Sequence, residues 1–522
     1  MRTRLPFKIF FPFLLLLSTQ ILFAQVKTDK KPSITHLKAN LQMLASDEFE
    51  GRETTTRGER LASLFIASEL EKYGVKPYGD NGTYFQNFDL LTSGYAIESN
   101  ISLVDESNSS LGNFILGDDF FKSGKGLSDS TFCKQSTGIV FAGYGITQKE
   151  NNYDDYAGVD VEGKTVLILS GEPPSDKINA AGSKKMNLFN VDAKVKLAKE
   201  KGAVGVFVIV DERLKSNWER IKEYVSQPTI SLQSKELPEV VKNTPVFTVS
   251  EKLVEKILSG EKYSYEKLNE LLKAKESIQS FEINKKLKYD IRPFSKTVNS
   301  RNVIGLIEGT DPKLKNEFVV LSAHYDHLGK HSNVVNYGAD DDGSGTVAVL
   351  ESARILSSNR QNKRSILTVF HTGEEKGLLG SSYATDNSDF MSSVVADINM
   401  DMVGRESVDS IYCIGSDKLS TEFAYLVQEE NSKSVDFVLN YKYDDPNDPN
   451  KFYYRSDHYN YAKKGIPVVF FFDDMKVDYH RPTDDVSKIN FEKIQKIAEL
   501  SSNIALGVAN LNHKLVIDKK PE

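Results

Sequence analysis

Short apolar segments recur through the carboxy-terminal half of the chain, with helical patterns between them. Residues 318–323, 366–370, 395–400 and 468–472 are each the length of a buried strand, and residues 344–356 have the apolar spacing of a helix. Strands that alternate with helices form parallel sheets, because the chain must cross back over the sheet before it enters the next strand. The pattern predicts an α/β fold in which a mostly parallel central sheet is flanked by helices.

The composition excludes several classes of protein. With 39% hydrophobic and 27% charged residues, the 522-residue chain is not wholly disordered, collagen-like or a polytopic membrane protein. At about 100–200 residues per domain, its length predicts more than one domain. The net charge of −7, without a long basic run, disfavours nucleic acid as a partner, because nucleic-acid binding depends on Lys and Arg.

The chain has only two cysteines, Cys133 and Cys413. Neither a disulfide framework nor a cysteine-ligated zinc site can be built from them. Any metal in this protein must therefore be held by the nitrogen and oxygen atoms of histidines and acidic residues.

The amino terminus has the pattern of a secretory signal peptide. Arg2, Arg4 and Lys8 precede the apolar residues 9–23, and Ala24 is a small residue suited to cleavage. The apolar run is shorter than the ~20 residues of a membrane span, which disfavours the alternative of an uncleaved anchor. We expect residues 1–24 to be removed and the protein to be secreted or periplasmic, without a stable membrane anchor.

The middle of the chain has a different pattern of predicted strands and helices. After residue 113, short apolar strands such as residues 165–169 alternate with a helix predicted over residues 191–201. This pattern predicts a smaller α/β domain inserted into a discontinuous one, and residues 292–294 are predicted to form the returning linker. The predicted domains comprise residues 113–281 for the insert and residues 25–112 together with 282–515 for the discontinuous domain.

Polar residues follow the predicted strands, at the edge where an open α/β sheet binds its ligands. His324 and Asp326 follow residues 318–323, and Asp401 stands among apolar residues at the end of residues 395–400. An uncompensated carboxylate in such a place would be costly, so Asp401 needs a partner. A purely structural role is the alternative for each of these residues taken singly.

Three consecutive carboxylates, Asp340, Asp341 and Asp342, stand in a glycine-rich turn before the predicted helix. They repel one another unless a cation compensates them, so the turn is either a solvated acidic turn or a metal-bridging one. The flanking glycines permit a sharp bend and favour the second interpretation.

Glu374 and Glu375 follow residues 366–370. In a metallohydrolase, one such carboxylate binds the metal while its neighbour takes a proton from the attacking water. Two acids that only stabilise a helix N-terminus are the alternative. His480 adds a further imidazole, and Asp484 is near enough in sequence to orient it.

Together these motifs resemble the co-catalytic dizinc exopeptidases, a family that includes bacterial leucyl-type aminopeptidases and glutamate carboxypeptidases. Their order and spacing match the family, and the resemblance extends to residues 46–62 near the amino terminus. The matching stretches are SAHYDHLG at 322–329, GADDDGSG at 338–345, EEKGLLGS at 374–381, NMDMVGR at 399–405, SDHYNYAKKGIPVVFF at 456–471 and YHRPTDD at 479–485.

The resemblance implies two zinc ions per chain as cofactors. His324 and Asp401 would bind one zinc, Glu375 and His480 would bind the other, and Asp341 would bridge both. It also implies a cis peptide bond after the bridging aspartate.

The resemblance implies further roles near the metals. Glu374 would be the general base, Asp326 would orient His324, and Tyr479 would stabilise the oxyanion. No ligand role is implied for four other histidines, which are expected to be structural or to lie behind the ligands: His327, His331, His371 and His458.

The predicted insert also resembles a known module. TGIVFAGYGI at 137–146 and YDDYAGVDVEGKTVLIL at 153–169 are similar to the protease-associated domain that this family often carries. The resemblance implies that the insert lies over the mouth of the active site and shapes access to it.

The implied function is that of a secreted zinc aminopeptidase acting on peptides. A carboxypeptidase or dipeptidase of the same fold is the alternative, and Arg405 or Arg455 is available to bind a substrate carboxylate. A glutaminyl cyclase with one zinc is disfavoured by the five implied ligands. A peptide-binding protein is the alternative from outside the enzymes.

Overall fold

Two β-sheets organise the computed structural model of the chain. It describes residues 31–123, 134–148, 150, 152–173, 190–225, 227–233, 244–331 and 333–520. The predicted signal peptide, residues 1–24, lies outside the described residues, as does Cys133. None of the helices in the described ranges is long and apolar enough to cross a membrane.

The larger sheet has ten strands, and its four central strands are parallel. These four are buried along their whole length, which explains their continuous apolar sequences. The strands on both sides of them pair antiparallel with the central four, so the parallel part forms only the middle of the sheet. In spatial order the strands are Thr229–Leu232, Phe85–Tyr95, Pro293–Ile307, Ser365–His371, Phe318–His324, Val394–Met400, Val468–Phe472, Ser410–Ile414 and Val438–Asn440, and Lys76–Pro77 pairs with Pro293–Ile307.

Helices cover both faces of the larger sheet. One face carries a large apolar core, and the other carries a second core with two shorter helices. This layering confirms the predicted α/β class. The helices of the first face are Ile34–Leu44, Arg57–Lys72, Gly345–Asn359, Thr421–Lys433 and Phe491–Asn510; those of the second are Leu379–Asn387 and His458–Ala462.

The smaller sheet has eight strands and its own apolar core. Its strands, in spatial order, are Ser110–Ile115, Asn100–Asp105, Phe281–Asp290, Ser136–Phe141, Thr165–Leu169, Gly205–Ile209, Val246–Val249 and Phe120–Ser123. Within the described part of this region the helices are Val191–Glu200, Glu212–Ser216, Trp218–Val225, Glu251–Leu258 and Tyr265–Lys273. The sheet starts before residue 113 and continues beyond residue 281, so it is wider than the predicted insert.

Two long strands lie where the chain passes between the sheets. Phe85–Tyr95 pairs with Pro293–Ile307 over eleven positions, from Tyr95 opposite Pro293 to Phe85 opposite Val303. The predicted linker at residues 292–294 is therefore wrong, because residues 293 and 294 begin a strand. Thr229–Leu232, from within the predicted insert, pairs with Phe85–Tyr95 and extends the larger sheet.

Candidate metal centre

The carboxyl ends of the four parallel strands meet at one edge of the larger sheet, and the candidate residues gather there. At the first position, Nε2 of His324 lies 3.4 Å from Oδ1 of Asp341 and 3.5 Å from Oδ1 of Asp401. Two donors bound about 2.0–2.2 Å from one tetrahedral zinc lie about 3.3–3.6 Å apart. These three buried side chains are thus spaced like the ligands of one metal ion.

The second position uses the other oxygen of the same aspartate. Oδ2 of Asp341 lies 3.3 Å from Nε2 of His480, and that nitrogen lies 3.1 Å from Oε2 of Glu375. Because its two oxygens face different groups of donors, Asp341 is placed as a bridge between the two positions. All five predicted ligands come together at this edge of the sheet.

His327 also stands at the second position. Its side chain is fully buried, and its Nδ1 lies 2.7 Å from Oε1 of Glu375 and 3.9 Å from Oδ2 of Asp341. His327, Asp341 and Glu375 are also close enough together to surround an ion. The distances from His480 to Asp341 and Glu375 are nevertheless closer to the spacing of two zinc ligands than the distances from His327 to the same two residues. The sequence signal for His327 is its place in the same strand-end turn, three residues after His324.

The three consecutive aspartates have different contacts. Only Asp341 faces both positions. Asp340 accepts hydrogen bonds from the backbone N–H of Gly404 and the hydroxyl of Ser344, at 2.8 and 3.0 Å. Asp342 accepts from the backbone N–H groups of His324, Gly345 and Met402, at 3.1, 2.9 and 3.1 Å. The peptide bond between Asp341 and Asp342 is cis, as the resemblance implies.

Excess negative charge dominates the electrostatics of this centre. Burial raises the pKa of Asp340 to about 8 and that of Asp342 well above its ordinary value. Burial alone would lower the pKa of His324, but Asp401 and Glu374 raise it well above the ordinary value. Among the described residues, Nε2 of His324 has no hydrogen-bond partner. Closely spaced buried carboxylates and an unpartnered buried imidazole nitrogen fit a site for cations.

Glu374 is set apart from the proposed ligands. Its Oε2 lies 3.9 Å from Nε2 of His324, farther than the distances between the ligand atoms. Burial raises the pKa of Glu374 well above its ordinary value, with the charges of Glu375 and Asp401 acting in the same direction. The side chain therefore faces the centre as a carboxyl group with raised affinity for a proton.

Asp326 lies beside His324, the residue that the resemblance implies it orients. Nδ1 of His324 lies 3.1 Å from the backbone carbonyl of Asp326, and the Asp326 carboxylate is 3.6 Å away. That carboxylate accepts hydrogen bonds from the hydroxyl of Thr54, at 2.7 Å, and from the backbone N–H of Glu374, at 3.2 Å. It therefore links the amino-terminal segment to the turn that carries both glutamates.

Asp484 likewise has a different partner from the predicted one. Its carboxylate accepts the backbone N–H groups of Asp340 and Asp341, each at 3.1 Å, and the structure gives it no hydrogen bond to His480. Arg405 donates to Asp484 at 2.8 Å. The prediction that Asp484 orients His480 is wrong, because the carboxylate holds the aspartate turn in place instead.

Arg52 was not singled out from the sequence, although it supports this edge of the sheet. Its fully buried guanidinium donates to four backbone carbonyls, those of Leu44, Tyr325, Tyr337 and Gly338, at 2.7–2.8 Å. Two of these carbonyls belong to the residues just before the aspartate turn, and one belongs to the residue after His324. The amino-terminal segment is thereby fixed to two of the loops that carry the proposed ligands.

A cleft opens beside the two positions. Asp341, Glu374 and Asp401 form its polar end, and Tyr479 stacks on His480 with 3.7 Å between the ring centroids. The remaining lining is mostly apolar and consists of Met402, Phe452, Phe470, Phe472 and Met475, with Arg455.

The remaining histidines lie away from the ligand atoms. Nε2 of His371 lies 3.1 Å from the hydroxyl of Tyr461, and His458 stacks on Phe470 at 4.5 Å between ring centroids. His331 contacts Gln227 at 3.3 Å. None of these three belongs to the candidate groups found among the described residues.

Comparison with known proteins identifies this region. Residues 302–505 match the family model described as Peptidase family M28. Over these residues the chain is similar to peptidase family M28. The match includes every proposed metal ligand, so the family resemblance drawn from the motifs is confirmed.

Curated relatives match about two fifths of the chain. A probable leucine aminopeptidase of Arthroderma otae is 29% identical over 212 residues, which are 38% of this chain and 57% of that protein. Leucine aminopeptidase 1 of Blastomyces gilchristii is 29% identical over 220 residues, 39% of this chain and 56% of that protein. The chain thus spans little more than half the length of these relatives.

A solved structure matches nearly the whole fold. The aminopeptidase from Aneurinibacillus sp. strain AM-1 superposes with a TM-score of 0.54 and 19% identity, covering 94% of this chain and 97% of that one. At this identity the likeness concerns the fold alone. It therefore extends beyond the M28 segment to most of the chain.

Proposed function

We propose that the protein is a zinc-dependent aminopeptidase that removes amino-terminal residues from peptides. The observation that carries the proposal is the pair of donor groups sharing Asp341, which lies beside an apolar cleft. Similarity to family M28 and the names of the curated relatives support it.

His324, Asp341 and Asp401 would hold one zinc, and Asp341, Glu375 and His480 would hold the other. Two zinc ions bound there would supply Lewis acidity, which activates water and stabilises negative charge on the scissile carbonyl. The donor set of imidazoles and carboxylates is one that zinc accepts.

Glu374 would move the proton. Its carboxylate is beside the ligands but is not needed as one, so it is free to take a proton from the attacking water and to pass it to the leaving amine. The Tyr479 hydroxyl group would help to stabilise the oxyanion from the wall of the cleft.

The lining of the cleft favours an aminopeptidase over a carboxypeptidase. Arg405 is held in a buried network with Asp484 and Asp478, at 2.8 and 3.4 Å, and is therefore poorly placed for a substrate carboxylate. Arg455 does line the cleft, and this observation keeps a carboxypeptidase or dipeptidase as the second candidate. The apolar wall suits an apolar substrate side chain, and the acidic end suits a free ammonium group.

We also propose that the protein is exported and that residues 100–290 form a protease-associated domain controlling access to the cleft. The pattern of residues 1–24 supports export. The smaller sheet has a separate apolar core and contains none of the proposed ligands, and both observations support a protease-associated domain that controls access.

The test is hydrolysis of paired substrates by the full mature chain. Leucine p-nitroanilide and leucyl peptides should be cleaved, their N-acetylated forms should not, and a chelator should abolish cleavage until zinc is restored. The Glu374→Gln variant is the negative control. Cleavage of N-blocked peptides with a free carboxyl terminus would instead support the carboxypeptidase, and binding without cleavage would contradict an enzymatic function.

A further inference from the structure

A group of buried polar side chains lies inside the larger sheet, behind the first metal position. Asp397 and Asn399 are two residues apart on the strand Val394–Met400, so their side chains are on the same face of the sheet. Ser322 lies opposite Asn399 on the neighbouring strand. All three side chains are fully buried in strands that are mostly apolar. Buried polar groups of this kind need hydrogen-bond partners.

Four short contacts connect these groups to the proposed ligand Asp401. Oγ of Ser322 lies 2.7 Å from Oδ1 of Asp397 and 3.0 Å from Oδ1 of Asn399. Nδ2 of Asn399 donates to Oγ of Ser456 at 2.8 Å, and the Ser456 hydroxyl donates to Oδ2 of Asp401 at 2.7 Å. The other oxygen of Asp401, Oδ1, faces the first metal position.

The direction of these hydrogen bonds follows from the number of protons. A serine hydroxyl has one proton, so Ser322 cannot donate to both Asp397 and Asn399. The Asn399 carbonyl oxygen has no proton to give, and it therefore accepts the proton of Ser322. The contact between Ser322 and Asp397 then needs a proton on the Asp397 carboxyl group.

The surroundings of Asp397 suit a protonated acid. Its side chain is fully buried, and its Oδ2 has no hydrogen-bond partner among the described residues. An ionised carboxylate in such a place would be far more costly than a neutral carboxyl group. Burial raises the pKa of Asp397 to about 8, and the charge of Asp457 acts in the same direction.

We propose that Asn399 is a positioning residue for the first zinc and that a protonated Asp397 sets its orientation through Ser322. The Asp397 carboxyl group donates to Ser322, Ser322 donates to the Asn399 carbonyl, and the Asn399 amide is thereby committed to Ser456. Ser456 directs its own proton to Oδ2 of Asp401, which leaves Oδ1 for the metal. This inference rests on the proposed function, because it takes Asp401 to be a zinc ligand.

The first measurement tests the proton on Asp397 and does not depend on bound metal. Infrared spectroscopy of the full mature chain detects the carbonyl band of a protonated carboxyl group. The comparison variant is Asp397→Asn, whose amide N–H can still donate to Ser322. We expect the unmodified protein near neutral pH to have a protonated-carboxyl band that Asp397→Asn lacks. Identical spectra in this region would show that Asp397 is ionised and would overturn the inference.

The second measurement tests whether Asn399 acts through Ser456. Zinc affinity of the metal-depleted full mature chain is measured by competition with a chromophoric chelator, and the ligand set is read from the visible spectrum with Co²⁺ at saturation. The variants are Asn399→Leu, Ser456→Ala and the combination of both. His480→Ala is the control for a ligand lost from the second position.

We expect Asn399→Leu and Ser456→Ala each to weaken one zinc equivalent by about 10–100-fold. That equivalent should differ from the one affected by His480→Ala. The double variant should bind zinc no more weakly than the weaker of the two single variants, because the two residues act in series. The Co²⁺ spectra of all three variants should match that of the unmodified protein, whereas His480→Ala should change the spectrum.

Three results of the second measurement would overturn the inference. Unchanged zinc affinity in Asn399→Leu would leave Asn399 only a packing role, and losses that add up in the double variant would show that it does not act through Ser456. A changed Co²⁺ spectrum in Asn399→Leu would mean that the ligand set itself had altered. If Asn399→Leu does not fold, the infrared comparison decides. Failure of the unmodified protein to bind two zinc ions, with the infrared band present, would instead contradict the proposed function.

Discussion

The adjacent residues Glu374 and Glu375 have separate contacts, although they share a side-chain type and a turn. Glu375 faces both His327 and His480, whereas the nearest described cationic partner of Glu374 is His324 at 3.9 Å. Adjacent residues in an irregular turn can point their side chains in different directions. In the proposed mechanism the pair would separate metal binding from proton transfer at neighbouring positions.

We expect Glu374→Gln to retain two zinc ions and to lower kcat by about 10²–10⁴-fold, because it removes only the group that accepts the proton. Glu375→Gln should weaken zinc binding itself, because an amide is a poorer ligand than a carboxylate. Elemental analysis and steady-state kinetics check both variants. Loss of zinc from Glu374→Gln, with zinc retained in Glu375→Gln, would reverse the two roles.

His458 should make the stability of the fold depend on pH. Burial lowers its pKa to about 3, whereas a histidine in the unfolded chain takes up a proton near pH 6.5. Below pH 6.5 the unfolded chain therefore binds a proton that the folded chain does not, so stability falls as the pH falls towards 3. Between pH 7 and pH 5 this loss is about 2 kcal/mol.

His458→Phe keeps the ring that stacks on Phe470 and removes the titrating group. The variant should lose about 2 kcal/mol less free energy of unfolding than the parent between pH 7 and pH 5. Chemical denaturation at the two pH values measures this difference. An equal loss in the parent and the variant would show that His458 does not contribute to the pH dependence.

The proposed ligands were predictable as residues, whereas the contacts that support them were not. His324, Asp341, Glu375, Asp401 and His480 follow or adjoin strand ends, and strand order brings such ends together. The carboxylate of Asp484 accepts N–H groups from a turn that is distant in sequence. The direction of those N–H groups is set by the fold, and the spacing of residues in the sequence does not encode it. The position of His327 depends likewise on the gap left by Gly338.

At the level of elements, the fully buried strands were the easiest to predict. Thr165–Leu169 and Val468–Phe472 have the predicted bounds because each is a continuous apolar run. Phe85–Tyr95 was missed, since its burial is partial and irregular along its length. Its partner Pro293–Ile307 starts at a proline, a residue that usually signals a linker but is tolerated as the first residue of a strand.

The paired strands also show where the chain can be shortened. Tyr95 lies opposite Pro293, and the N–H of Ala96 donates to the carbonyl of Arg292 at 2.8 Å, so these chain ends already meet. Replacing residues 97–291 with a short Gly/Ser turn should therefore preserve zinc stoichiometry, because no proposed ligand is removed. It should also change the length of peptide that is accepted.

Elemental analysis and hydrolysis of a series of peptides of increasing length test this deletion. The deletion also removes Thr229–Leu232 from the edge of the larger sheet, so solubility must be checked first. A soluble variant without zinc would show that the smaller sheet is needed to form the metal centre. A zinc-loaded variant with an unchanged length preference would contradict the role in access.

For the whole molecule, metal binding should contribute directly to stability. Zinc held by the folded but not the unfolded chain adds about 4 kcal/mol when its free concentration is 1,000 times Kd. We expect a chelator to lower Tm by about 4 °C for each zinc ion removed and added zinc to restore it. Calorimetry with and without chelator measures the shift. An unchanged Tm, with zinc removal verified by elemental analysis, would contradict coupling between this site and the fold.

The position of Arg52 has a consequence for the timing of assembly during synthesis. Arg52 donates to the carbonyl of Gly338, and Asp484 accepts the backbone N–H of Asp341, so residues distant in sequence hold the same turn. A nascent chain that has not yet reached residue 484 has only the first of these contacts. The second proposed metal position, which also includes His480, can therefore be completed only late in synthesis, when most of the fold that surrounds it has already been made.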